Sequence, residues 1–123
     1  MIRLAVAALA AATLAASPLK ATLTAPSHTP KVNAHWNFVV RATSGGKPVK
    51  ARLTAQIVDP IGGVHYVERG PTTQKIKNWP FTGVYRDYII WPSSSRGIPL
   101  TLRLTVVAGA GRKVIDYPVV PRA

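Results

Sequence analysis

The chain has 123 residues, enough for one domain of about 100 residues. Hydrophobic residues make up 47% of it, which is typical of a globular chain with a core. It carries 16 Lys and Arg against 4 Asp and Glu, a formal charge of +12 that favours anionic partners. There is no cysteine, which excludes a disulfide framework and a lipoprotein attachment site.

Residues 1–21 are predicted to be a secretory signal peptide. A positive start with Arg3 is followed by a small-apolar run over 4–16, and Ser17 and Pro18 break that run. The run is too short to span about 30 Å of hydrocarbon as a helix. Cleavage after Ala15 or nearer Ala21 would release a secreted domain, periplasmic or extracellular, with no transmembrane segment. The alternative is an uncleaved N-terminal anchor.

The rest of the chain, 22–123, is predicted to be one domain made of short strands. Apolar and polar residues alternate with a period of two, no helical spacing follows residue 21, and eleven prolines interrupt the chain. Trp36 is expected to enter the core. The apolar residues on both faces of the sixth segment predict a central strand. The expected strands cover 22–26, 35–43, 49–58, 64–68, an edge strand around 74–77, 81–91 and a hairpin over 100–120.

The final hairpin has the strongest alternation. A four-residue turn over 109–112 predicts a register in which each inward pair is apolar. Pro118 cannot donate a ladder hydrogen bond, so the last strand is predicted to lie at an edge. Asp116 is expected on the outward face near Arg103. The predicted pairs are Val106 with Ile115, Leu104 with Tyr117, and Leu102 with Val119.

About seven strands in about 100 residues predict an all-β, two-sheet antiparallel sandwich, with a small barrel as the alternative. The spacing in 30–51, with Pro30, Trp36 and Phe38 before Gly46-Lys47-Pro48-Val49, resembles secreted bacterial immunoglobulin-like modules, including the YtkA-like group. The alternation from Leu102 to Gly111 is similar to the penultimate strand and turn of fibronectin type III domains. The resemblance implies an immunoglobulin-like sandwich and an envelope module, spacer or binding domain.

No catalytic constellation stands out, so we expect a protein that is not an enzyme. The four carboxylates are scattered, and neither a GxSxG nor an HExxH motif occurs. Some related sandwiches bind copper, so His28, His35 and His65 are candidate metal ligands for an alternative function, binding of a small ligand or copper. Met1, the only methionine, would leave with the leader. No cofactor is expected.

The candidate ligand-binding residues are two tryptophans at strand ends and a group of basic side chains. Aromatic rings at Trp79 and Trp91 are candidates for a carbohydrate platform. Without the leader the chain retains a charge of +10, spread over its surface. Because export separates the protein from nucleic acid, we expect its partner to be an anionic envelope polymer or another envelope protein. A spacer role is the other possibility, and the protein is expected to be a monomer. The basic candidates are Lys47, Lys50 and Arg52, which we expect to lie on one face of the domain.

Overall fold

A computed structural model describes residues 18–123, and within them nearly all regular structure is extended. One short 3₁₀ turn, Ser93–Ser95, is the single helical element in this range, and no helix in it is long and apolar enough to cross a membrane. Most of the predicted signal peptide, residues 1–17, lies outside the described residues. The strands are β1 Leu19–Thr24, β2 His35–Ser44, β3 Lys47–Pro48, β4 Lys50–Val58, β5 Val64–Tyr66, β6 Trp79–Thr82, β7 Val84–Ile90, β8 Leu100–Ala108 and β9 Gly111–Val119.

The strands form two antiparallel sheets, which confirms the predicted all-β, two-sheet architecture. In the first sheet β2 pairs with β1, β3 and β7. In the second sheet the order is β5-β4-β8-β9, and β6 also pairs with β4. The inward residues of both sheets form one hydrophobic cluster. The burial of apolar area between the sheets is therefore the main favourable term in the stability of the fold.

The chain changes sheets three times, between β3 and β4, between β6 and β7 and between β7 and β8, and Gly83 marks the second crossing. Gly83 N donates to Val49 O at 3.1 Å, and Gly83 O accepts from Ala42 N at 2.8 Å. Its φ is +73°, and a Cβ at this position would lie 2.8 Å from Pro48 Cβ. The crossing divides the strand expected over 81–91 into β6 and β7. The expectation of a central strand is wrong, because β7 pairs only with β2 within the described residues.

The predicted alternation correctly identifies the core positions of β2, β4 and β8. Trp36 is 3% exposed, and its indole N–H donates to Ser27 O at 3.0 Å. Leu53 and Leu104 are fully buried on the facing sheet. Each strand therefore contributes one apolar face to the same core. The buried residues of these three strands are Trp36, Phe38, Val40, Ala42, Ala51, Leu53, Ala55, Leu102, Leu104 and Val106.

The register of the final hairpin differs from the prediction by two residues. Ala108 pairs with Gly111, so the connection has two residues rather than four, with φ +56° at Gly109. Leu104 consequently pairs with Ile115, and Leu102 pairs with Tyr117. A shift of two keeps every side chain on its predicted face, whereas a shift of one would reverse the faces. Strand β9 ends the second sheet, which confirms the predicted edge.

The first strand begins at Leu19, three residues before the expected start. Leu19 is 8% exposed and pairs with Ser44. A Cβ at Gly111 would lie 2.9 Å from Leu19 Cβ, so the start of β1 packs closely on β9. The boundary placed between 21 and 22 therefore cuts through β1. Cleavage after Ala15, the other predicted position, leaves this strand whole.

The segment between β5 and β6 contains a core residue that the sequence pattern did not reveal. Ile76 is fully buried, its N–H donates to Val67 O at 2.8 Å, and its carbonyl accepts from Ala55 N at 3.0 Å. Instead of the edge strand expected around 74–77, a single bridge joins Glu68 to Lys75. The segment shows no alternation of apolar and polar residues, because Ile76 alone packs into the core.

Candidate functional site

Most basic side chains have no acidic partner. All Lys and Arg except Arg3 lie within residues 18–123, and there Arg103 is the one that contacts the carboxylate of an Asp or Glu side chain, with Nε 2.8 Å from Asp116 Oδ1. The hydrogen bond lowers the pKa of Asp116 and raises that of Arg103. This contact confirms the expected cross-strand pair. The remaining basic side chains contribute an uncompensated positive field.

Three exposed cations share the outer face of the second sheet. Arg52 of β4 pairs with Val107 of β8, and Val107 pairs with Arg112 of β9, so the three positions form one row across three strands. Lys50 lies two residues before Arg52 and therefore on the same face. All three cations are exposed. We call Lys50, Arg52 and Arg112 the basic row.

An open groove of about 550 Å³ lies beside the basic row. Lys50 and Arg52 form one side of it, β6 contributes Pro80 and Phe81, and Gly109 lies at its end. The groove thus combines two cations with an apolar wall. Such a surface can hold a flexible chain with charged groups and apolar stretches without enclosing it.

The position of Arg52 is set by the turn before β6. Arg52 Nη1 donates to Asn78 O at 3.2 Å. Asn78, with φ +50°, donates its own N–H to Thr54 Oγ1 at 3.1 Å. One of the five N–H donors of the guanidinium is used in this contact, which orients the group over the sheet.

Lys47 does not share the face of Lys50 and Arg52. It lies in β3, opposite Ser44 of the first sheet, whereas Lys50 and Arg52 lie in β4 of the second sheet. The chain crosses between the sheets at Val49. The prediction that Lys47, Lys50 and Arg52 share one face is therefore wrong. Arg112, rather than Lys47, lies on the face of Lys50 and Arg52.

Neither tryptophan offers a free platform. Trp91 is 2% exposed and packs edge-on against Trp36 with ring centroids 5.6 Å apart, so no sugar ring can stack on it. Trp79 is half-buried, and the guanidinium carbon of Arg69 lies 4.0 Å from its ring centroid. A ligand at Trp79 would have to displace this cation–π contact. Trp91 is thus a core residue, which corrects the expectation.

The three histidines have separate partners. The Nδ1 atom of His28 lies 2.6 Å from Pro118 O, and its ring stacks on Tyr117. The ring of His35 stacks on Tyr88. His65 Nε2 is 3.5 Å from Asp59 Oδ2. In the part of the chain that the structure describes, no three His, Cys, Asp or Glu residues are grouped to hold a metal ion. His28 and His35 thus contact different rings, Tyr117 and Tyr88.

Sequence reasoning missed a second cavity, of about 450 Å³, which opens between β5 of one sheet and the end of β7 of the other. We call it the inter-sheet pocket. Its lining comes from segments that are distant along the chain, so no local motif could reveal it. Apolar lining comes from Ile57, Val67, Ile89, Trp91 and Leu100, and polar lining includes Asp59, His65 and Glu68.

Comparisons with known proteins do not assign a family. No protein-family model matches the chain, and no curated protein matches it. Among solved structures, the chain is similar to a DUF4466 family protein from Parabacteroides merdae, with 17% sequence identity and a TM-score of 0.46. The similarity covers 84% of this chain and 43% of that protein, so the chain spans less than half of its length.

Proposed function

We propose that this chain is a secreted, non-catalytic immunoglobulin-like module that binds anionic polymers of the bacterial cell envelope through the basic row. The observation that carries the proposal is the row itself: Arg52 and Arg112 lie opposite the same residue, Val107, and within residues 18–123 neither forms an ion pair with a carboxylate. Lys50 extends the row along β4. The proposed location is periplasmic or extracellular, as the leader over 1–21 predicts.

The strand order supports the immunoglobulin-like part of the proposal. Immunoglobulin sandwiches place strands A, B and E in one sheet and C, F and G in the other. Here β1-β2-β7 and β4-β8-β9 have the corresponding order and sequence positions. This agreement and the resemblance to YtkA-like and fibronectin type III modules concern the scaffold, so the function is argued from the surface.

The spacing of the basic row suits a linear polymer better than a compact ligand. Adjacent strands lie about 4.8 Å apart, so Arg52 and Arg112, two strands apart, are separated by about 10 Å at their Cα atoms. A single small anion does not contact the guanidinium groups of both Arg52 and Arg112 at this separation. A chain with repeated phosphate or carboxylate groups can contact each cation in turn and use Pro80 and Val107, which pair with Arg52, for its apolar parts.

Co-sedimentation with isolated envelope material tests the proposal. Binding should be strong at 0.1 M salt and weak at 1 M, because the Debye length falls from about 10 Å to about 3 Å. A triple variant of the basic row, Lys50→Gln, Arg52→Gln and Arg112→Gln, should lose most binding. No binding of the wild type at low salt would contradict the proposal and favour a spacer.

A matched triple variant separates the basic row from general charge. Lys20→Gln, Arg41→Gln and Arg86→Gln remove the same charge from exposed positions of the first sheet. The proposal expects this variant to retain most of the binding. Equal losses in both variants would show that the row has no special role. Binding that survives 1 M salt would contradict electrostatic recognition.

A further inference from the structure

We propose that the inter-sheet pocket is a separate binding site for a small ligand with an apolar body and an organic ammonium head. The proposal does not depend on the basic row, which lies on the outer face of the second sheet. It rests on the shape of the cavity and on its charge, and a buried indole beside it provides a reporter.

The volume and lining fit a small apolar body. Ligand sites in proteins usually occupy about 300–1,000 Å³, and the pocket has about 450 Å³. Ile57 and Leu100 of the second sheet and Ile89 of the first contribute aliphatic lining from both sides. An alkyl group placed there loses contact with water on both sides, which favours its binding.

The charge of the pocket is opposite to that of the protein. Asp59 and Glu68, two of the 4 carboxylates in the chain, line it, and none of its described lining residues is Lys or Arg. Asp59 Oδ1 accepts from Gly63 N at 2.7 Å and from Ile61 N at 3.0 Å. These bonds hold the carboxylate in place and lower its pKa. A cation is thus favoured here, and an anion is disfavoured.

Trp91 provides the reporter for this pocket. It is one of the lining residues and is 2% exposed, and its indole N–H has no hydrogen-bond partner within the described residues. Buried polar groups in proteins normally have a partner, so this donor marks an unusual place in the core. Trp36, by contrast, donates its N–H to Ser27 O. The two indoles therefore give distinct reporters of ligand binding.

Titration of the ¹⁵N-labelled chain with hexyltrimethylammonium, followed by NMR, tests the proposal. The Trp91 indole resonance, assigned with Trp91→Phe, should shift on binding, and the Trp36 resonance should shift less, because Trp36 contacts Trp91 but does not line the pocket. Hexanol and hexanoate carry the same alkyl chain with a neutral and an anionic head. The ammonium should bind about fivefold more tightly than the alcohol, as expected for one partly exposed charge pair, and hexanoate should bind least.

Two pairs of variants locate the site. Glu68→Gln should weaken the ammonium about threefold to fivefold, whereas Asp116→Asn changes the net charge equally and should have little effect. Ile90→Lys adds a cation to the pocket lining and should block binding; Val84→Lys adds one to an exposed position of the same strand. Equal binding of hexanoate, an unmoved Trp91 signal, or equal effects within either pair would overturn the proposal.

Discussion

The Tyr85 hydroxyl donates a 2.6 Å hydrogen bond to Asp87 Oδ2, two residues further along β7 and on the same face of the strand. Asp87 Oδ1 also accepts from Gly70 N at 3.0 Å and from Tyr88 N at 2.8 Å. Burial, followed by the contact with Asp87, raises the pKa of Tyr85, so the hydroxyl remains a donor. This carboxylate fastens the loop after β5 to β7 and thereby supports one side of the inter-sheet pocket.

Tyr85→Phe should reduce the free energy of unfolding by about 1.5–3 kcal/mol, because the change removes a hydrogen bond to a carboxylate in a partly buried place. Tyr66→Phe is the matched control, since its ring contact with Lys77 does not use the hydroxyl. It should cost less than about 0.5 kcal/mol. Urea unfolding measures both. Similar costs for the two variants would contradict the assigned role of Tyr85.

Leu104→Ala should cost about 2–5 kcal/mol, because Leu104 is fully buried and the change leaves a cavity between the sheets. Arg103→Ala, one residue earlier on the outer face, should cost less than about 1 kcal/mol through loss of its exposed pair with Asp116. Equilibrium unfolding compares the two variants. A larger loss for Arg103→Ala would mean that the faces of β8 are exchanged.

Leu19→Ala should lower stability by about 1.5–3 kcal/mol, the usual value of a buried leucine side chain, because Leu19 packs on β9 at the start of β1. Lys20→Ala changes the exposed neighbour and should have little effect. Thermal unfolding of both variants measures the difference. A shortened chain that starts at Thr22 should also be less stable than one that starts at Ala16. Equal midpoints for these two chains would show that residues 19–21 add nothing to the fold.

Stability should fall as the pH is lowered below the ordinary carboxyl pKa of 3.8, in part through Asp116. Its pKa is lower in the folded chain than in the unfolded chain, so its contribution is present above 3.8 and is lost as the pH falls through the folded value. Asp116→Asn should therefore reduce the difference in unfolding midpoint between pH 7 and pH 2. The effect is small because the pair is exposed to solvent. An unchanged difference would contradict a contribution from Asp116.

The sequence alone determined which face of each main strand is buried. Alternation is a local property, so Trp36 of β2 and Leu104 of β8 could be placed in the core without knowledge of their neighbours. It also predicted the edge position of β9, since Pro118 lacks the N–H that a further strand would need. Ile76 escaped this reasoning because its burial depends on backbone contacts with Val67 and Ala55 rather than on a pattern.

Only the tertiary structure decided which residues meet across strands. Lys47 and Lys50 are close in sequence, yet the crossing at Val49 puts them in different sheets, and Arg112 joins Arg52 in place of Lys47. The turn at Gly109 set the hairpin register in the same way. Such pairings depend on turn length and on contacts between distant segments, which period-two patterns do not encode. The inter-sheet pocket also depends on contacts between distant segments. Its walls come from both sheets, and no single segment of the sequence supplies more than one wall.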